Sequence, residues 1–198
     1  MRNVGNSIRG SGFAGLRQGI ISRASGETLE IGAGKGANFD GLPHEVNWAG
    51  VEPDHRKWRQ LARRAERAGH HPRVLRTGAE RIPLPDESLD TVLGTFVLCS
   101  VDDVDVVLQE MHRLLVPGGR LLLIDHVGAL PGSRARLFQE RLTPWSVRFM
   151  KGCRLDRDIP AHLAASQFSR VSAKQLNVAA WPLPDMPAFF FEGQKESA

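Results

Sequence analysis

The chain has no tyrosine and only two cysteines among its 198 residues. Two thiols, Cys99 and Cys153, cannot build the disulfide framework of a small secreted domain, and in a reducing compartment both are expected to stay free. No apolar run approaches the roughly 20 residues that a membrane-spanning helix needs. The polar, glycine-rich start Met1–Gly12 lacks the apolar stretch of a secretory signal. These absences lead to the expectation of a soluble, unexported, cytoplasmic protein. An excess of charge is scarce as well: 26 Lys and Arg face 22 Asp and Glu, a formal charge of +4. So small a surplus does not select nucleic acid or an anionic surface, because either needs the charge gathered on one face. With no linker, repeat or low-complexity tract, the length suits a single domain over residues 1–198.

What is present is an alternation of short apolar runs with longer amphipathic stretches, the pattern of parallel strands joined by crossover helices. Strands are expected at Thr28–Ile31, Val46–Val51, Arg73–Arg76, Leu89–Leu93 and Arg120–His126. Helices are expected at Pro53–Ala68 and Asp103–Leu115, the latter capped by Asp102 or Asp103 and ending before Pro117-Gly118-Gly119. Val104, Val107, Leu108, Met111, Leu114 and Leu115 form a stripe that packs on a sheet. Beyond His126, Ser133–Met150 puts Phe138, Leu142, Trp145 and Phe149 on one helical face, with Pro144 expected to kink or interrupt it. A helix at Asp158–Ser166 and two strands, Ser169–Asn177 and Ala188–Phe191, complete the chain. The fold class is α/β, a doubly wound, mostly parallel sheet finished by a C-terminal antiparallel hairpin strand.

The most informative segment is Leu29-Glu30-Ile31-Gly32-Ala33-Gly34-Lys35-Gly36-Ala37-Asn38, a strand running into a glycine-rich turn. Such a turn lets the backbone approach a ligand with no Cβ in the way. Glu52 ends the next strand, placed to accept hydrogen bonds from both hydroxyls of a ribose. Gly32-x-Gly34-x-x-Ala37 also satisfies the dinucleotide fingerprint, so NAD and S-adenosylmethionine compete for the site. Two features favour the sulfonium ligand. Glu30 ends its strand as a carboxylate suited to an ammonium, directly or through water, where a pyrophosphate wants no acid. The residues left after the sheet are also too few for a dehydrogenase's substrate domain.

Three downstream segments add to this: Thr77-Gly78-Ala79-Glu80, Ile82-Pro83-Leu84-Pro85-Asp86-Glu87-Ser88-Leu89-Asp90 and Leu114-Leu115-Val116-Pro117-Gly118-Gly119-Arg120-Leu121-Leu122. Together with the glycine loop they resemble, in order and spacing, the class I S-adenosylmethionine-dependent methyltransferases of small molecules. The resemblance covers residues 27–126 and implies a seven-stranded Rossmann-like sheet with S-adenosylmethionine as cofactor. It implies that the glycine loop lies under the methionine end, that Glu52 binds the ribose, and that Gly78-Ala79-Glu80 borders the adenine. Gly78 stands where many members have Asp, which leaves Glu80 or backbone to meet the adenine amino group. The implied cofactor-contacting set is Glu30, Gly32, Ala33, Gly34, Gly36, Asn38, Glu52, Pro53, Gly78, Ala79, Glu80, Thr95 and Phe96.

Thr95-Phe96-Val97-Leu98-Cys99-Ser100-Val101, Asp125-His126-Val127, Trp145, Gly152-Cys153-Arg154-Leu155-Asp156-Arg157 and Gln167-Phe168-Ser169 extend the likeness to about residue 170. They are similar to the animal membrane-anchored alkyl-thiol methyltransferases. Two departures stand out: no apolar anchor precedes the glycine loop, and Lys151 replaces the aspartate expected before Gly152-Cys153. Residues 127–168 are expected to form the acceptor side.

In a doubly wound sheet the acceptor lies beyond the carboxyl ends of the strands. That rule selects Phe96, Cys99, Ser100, Asp125 and His126, the likeness adds Trp145 and Cys153, and the face of Phe138, Leu142, Trp145 and Phe149 reads as a lid over the acceptor or simply as core. His126 is the candidate base, or else a strand-end histidine bonded to backbone. Cys99 and Cys153 read as small apolar fillers or as substrate contacts. No metal is expected, since His70-His71-Pro72 has no thiol or carboxylate at ligand spacing. Arg56, Lys57, Arg59, Arg63, Arg64 and Arg67 make one helix basic, but the aromatics that stack bases are missing there. Gly94-Thr95-Phe96-Val97 also stands where methylases of base amino groups carry an Asn/Asp-Pro-Pro-aromatic motif. Nucleic acid is therefore not an expected partner. The expected function is methyl transfer to a small apolar acceptor, thiol or hydroxyl before amine. The alternatives are a lipid or quinone methyltransferase at a membrane surface, or a cofactor-binding protein without catalysis.

Overall fold

The computed structural model describes residues 7–8, 10–150, 152–178 and 186–196. Its strands are β1 (Ser7–Ile8), β2 (Glu27–Ile31), β3 (Asn47–Val51), β4 (Arg73–Leu75), β5 (Leu89–Thr95), β6 (Leu115–His126), β7 (Phe168–Val178) and β8 (Met186–Lys195). They form one sheet in the order β1-β7-β8-β6-β5-β2-β3-β4. Seven of these make the expected sheet, and the two-residue β1 adds an eighth at its edge by pairing with Asn177 and Val178. Only β8 runs against the others, between β6 and β7. β2 pairs with β3 on one side and β5 on the other, so strand order reverses there and a crevice opens at the carboxyl ends.

The inner strands are buried on both faces, which is why they read as short apolar runs rather than alternating ones. The helices are α1 (Gly10–Ile21), α2 (His55–Arg67), α3 (Val104–Leu114), α4 (Arg134–Phe149) and α5 (Ile159–Ala165). One face of the sheet packs against the α3 stripe of Val104, Val107, Leu108, Met111 and Leu114 and against Ile159 and Leu163 of α5. The other meets Ile20 and Ile21 of α1 and Leu61 and Ala65 of α2, with Trp48, Leu122 and Ile124. Asp54 caps α2, so that helix starts at His55 rather than Pro53. Asp103 caps α3 through the amides of Asp105 and Val106.

Three further elements depart from expectation. α1 lies in a stretch whose glycines mask its pattern, yet Phe13, Leu16, Ile20 and Ile21 all join the core. β6 begins at Leu115, directly after α3, and absorbs Pro117-Gly118-Gly119 in an irregularity between the Leu89–Leu115 and Thr91–Arg120 pairs. α4 runs unbroken through Pro144. It is held there by polar bonds: Gln139 Nε2 donates to Val127 O at 3.0 Å, and Ser146 Oγ donates to Cys153 O at 2.7 Å. Among the described residues, no helix is long and apolar enough to cross a membrane.

Candidate functional site

β2 ends in the glycine loop, where Gly32, Gly34 and Gly36 have φ of +67°, +61° and +80°. A side chain is disfavoured at those angles, and a Cβ on Gly32 would lie 2.8 Å from Val97 Cγ2. The loop faces a cavity of about 540 Å³ at the crevice. Gly32, Glu52, Pro53, Gly78, Ala79 and Glu80 line one part of it, and Phe96, Val97, Ser100 and Val101 line another. Ala33, Gly34 and Gly36 shape the loop without lining the cavity.

Glu52 is 2% exposed at the end of β3. Its carboxylate accepts hydrogen bonds from Gly34 N at 2.9 Å, Asp54 N at 2.9 Å and Lys57 Nζ at 2.6 Å. The acid is thereby fixed against both the glycine loop and α2. At the far wall, the carboxylate of Glu80 occupies the space a side chain on Gly78 would need: a Cβ there would lie 2.6 Å from Glu80 Oε2.

Glu30 does not line the cavity, so of the two expected modes only an ammonium held through water remains open to it. Both its oxygens are engaged inside the fold, by Asn38 Nδ2 at 2.7 Å and Trp48 Nε1 at 3.0 Å. Burial pushes its pKa up to about 7, against the pull of those two donors. Asn38 also donates to Thr95 Oγ1 at 3.0 Å, and Arg17 donates to Asn38 Oδ1 at 2.9 and 2.6 Å. Glu30, Asn38 and Thr95 thus form a buried brace beneath the loop rather than cavity wall. Arg17 was not legible as part of the site, because α1 itself was not.

On the acceptor side, Asp125 turns inward. It is 1% exposed and accepts backbone hydrogen bonds from Val97, Leu98, Cys99 and His126 at 2.7–3.1 Å. The expected substrate contact is instead the anchor of the loop after β5. That loop begins with Phe96 at φ +54°, a left-handed residue stabilised by its N–H bond to Ile124 O at 2.7 Å. The Phe96 ring lies 4.5 Å from the His126 ring and 6.0 Å from that of Phe13. Arg157 closes the loop from outside, donating to the carbonyls of Leu98 and Val101.

Behind this wall Cys99 and Cys153 meet, both buried and free, with their Sγ atoms 3.5 Å apart. Cys153 Sγ lies 3.9 Å from His126 Nδ1, and Cys99 Sγ lies 3.5 Å from Ser100 Oγ. The contact with Cys99, reinforced by His126, brings Cys153 down to about 5, while the same contact, burial and Asp125 push Cys99 up. Trp145 and Phe149 are 52% and 63% exposed and stack on each other away from the cavity. The expectation that they line the acceptor pocket is therefore corrected: the buried side of α4 is carried by Gln139 and Ser146. The arginines of α2 line a separate groove of about 480 Å³. Lys151 lies outside the described residues.

Residues 29–123 match the family model of a methyltransferase domain. The chain is 36% identical over 146 residues to a rat thiol S-methyltransferase, TMT1B, covering 72% of this chain and 60% of the relative. It is 34% identical over 160 residues to the human thiol S-methyltransferase TMT1B, covering 78% and 66%. The chain belongs to the S-adenosylmethionine-dependent methyltransferases. This methyltransferase spans about three-fifths of the length of the rat relative. Its fold superimposes on a putative methyltransferase from Bacillus halodurans with a TM-score of 0.75 at 16% identity, covering 95% of this chain and all of that one. The residues present fit the family's cofactor. A glycine cradle that a Cβ would fill, a fixed buried carboxylate at the second strand and a volume within the range of ligand pockets meet in one crevice.

Proposed function

We propose that this methyltransferase transfers the methyl group of S-adenosylmethionine to a small, apolar acceptor bearing a thiol. When bound, the cofactor supplies an electrophilic methyl on a sulfonium that an in-line nucleophile displaces. Glu52, held by Gly34 and Lys57, accepts the ribose hydroxyls. Glu80, standing over Gly78, takes the role of the missing aspartate and accepts from the adenine amino group. Gly32 lets the backbone approach the methionine end. Phe96, Val97 and Val101 give the acceptor end an apolar wall, which positions an uncharged acceptor and excludes water from the reacting atoms.

The observation that carries the thiol reading is chemical. Behind Phe96 and Ser100 the chain gathers two sulfurs and an imidazole, a soft environment suited to a sulfur nucleophile. A thiol acceptor arrives protonated, so its reaction wants a group that takes the proton; the His126 ring, packed on Phe96 of the cavity wall, is the candidate for that role. The thiol S-methyltransferase relatives support the same class. The test is formation of the methyl thioether, followed by mass spectrometry, across matched alkyl thiols, phenols and amines. Turnover with apolar thiols above all is expected, and amine methylation with inert thiols overturns the reading.

A further inference from the structure

Three side chains from separate parts of the chain converge behind the acceptor wall: Cys99 after β5, His126 at the end of β6 and Cys153 beyond α4. One ligand atom from each lies within 4.8 Å of the others, and among the described residues no other group of this kind occurs. Zinc bound by thiolates at about 2.3 Å and imidazole at about 2.0–2.1 Å in a tetrahedron separates two sulfurs by about 3.8 Å and sulfur from nitrogen by about 3.6 Å. The separations here are 3.5 Å between the sulfurs and 3.9 Å from Cys153 Sγ to His126 Nδ1. The third separation, from Cys99 Sγ to the His126 ring, is within 4.8 Å, and side-chain rotation has to close it to about 3.6 Å for all three to reach one ion.

The charges around the cluster suit a divalent cation. Asp125 is fully enclosed beside Cys99 and faces the guanidinium of Arg157 across the loop. Metal binding takes the proton from each thiol, and two thiolates, the Asp125 carboxylate and the Arg157 guanidinium then sum to two negative charges. A doubly charged ion restores neutrality in a place where an unpaired charge is costly. The remaining neighbours of the sulfurs, Leu142, Leu155 and Met186, offer no oxygen ligand and exclude water. Three protein ligands are the number found in zinc sites that keep a fourth position for another molecule. Ser100 and Phe96, which belong to the cavity wall, stand against that side of the cluster.

We propose that Cys99, Cys153 and His126 form a three-ligand site for a thiophilic divalent cation of the zinc type, its fourth position available to a soft donor from the cavity. That this donor is the acceptor thiol rests on the function proposed above and makes His126 a ligand in place of a base, with the thiol's proton passing to solvent; the metal site rests on neither.

The fully reduced chain is loaded with zinc, desalted and analysed for metal, and loaded in parallel with cobalt(II) for absorption spectroscopy. One equivalent of zinc and a near-ultraviolet thiolate-to-cobalt charge-transfer band are expected. Cys99→Ser and Cys153→Ser should abolish the band, and His126→Gln should weaken cobalt affinity at least tenfold. Circular dichroism and calorimetric binding of S-adenosylmethionine identify variants that have kept the fold, so loss of metal is not confused with failure of the cofactor reading. Absence of the band in reduced wild-type protein overturns the proposal whatever the variants do. So does stoichiometric zinc retained by the double Cys99→Ser/Cys153→Ser variant, or a Cys99–Cys153 disulfide formed in the presence of saturating zinc.

Discussion

Lys57 Nζ lies 2.6 Å from Glu52 Oε2, so the first turn of α2 holds the acid that closes β3. Glu52 is thus fixed by the fold itself, and the proposed contact with the ribose hydroxyls would need no rearrangement of its side chain. Glu52→Gln keeps the shape while weakening the acceptor, and should reduce S-adenosylmethionine affinity by about 1–3 kcal/mol in calorimetry. Unchanged affinity would place the ribose elsewhere.

Glu30 has a folded pKa of about 7, above its ordinary 4.5, because burial penalises its charge. Between these values the folded protein holds a proton that the unfolded chain has released. Stability therefore falls as pH rises from about 5 to 7 and levels off above that window. The contribution is on the order of 3 kcal/mol. Urea unfolding across this range should give a steeper fall for the wild type than for Glu30→Gln, and parallel curves would refute the assignment.

Asp125 collects four backbone N–H groups, all of which lose this acceptor when its carboxylate is removed. Asp125→Ala should lower the unfolding free energy by roughly 3 kcal/mol or more. Amide hydrogen exchange at Val97, Leu98 and Cys99 should quicken ahead of the rest of the sheet. Uniform acceleration instead would mean that the loop is held by something other than this side chain.

Trp145 is half exposed on α4, and its ring meets that of Phe149 at 5.4 Å with a tilt of 38°. Trp145→Ala should change stability by no more than about 0.5 kcal/mol. The KM for the acceptor should stay at its wild-type value. A several-fold rise in KM would show that α4 swings its aromatic face over the cavity during turnover.

The donor half of the site was legible because its parts are local. A strand, a glycine turn and an acid ending the next strand carry their meaning in spacing alone, and Gly32 and Glu52 line the cavity as that spacing implies, together with Gly78–Glu80, which the family resemblance supplied. The acceptor half was not, because its members meet only through the tertiary fold. Cys99 and Cys153 are 54 positions apart and touch through a turn whose sequence carries no ligand pattern. The regular spacing of Phe138, Leu142, Trp145 and Phe149 misled for a different reason: α4 is seated by hydrogen bonds from Gln139 and Ser146, and of that face Phe138 and Leu142 are half-buried while Trp145 and Phe149 stay exposed. α1 escaped notice because glycine lowers helix propensity, and packing against Phe96 and Phe190 supplies what propensity withholds.

The antiparallel insertion of β8 sets an order of assembly. Asp125 and His126 pair with Phe189 and Ala188, whereas every strand bordering the glycine loop comes from residues 27–95. Closing the acceptor rim thus spans a loop of about sixty residues, while the donor crevice is complete within the first half of the chain. A chain emerging from the ribosome would own a binding place for its cofactor well before it owned the wall against which an acceptor rests.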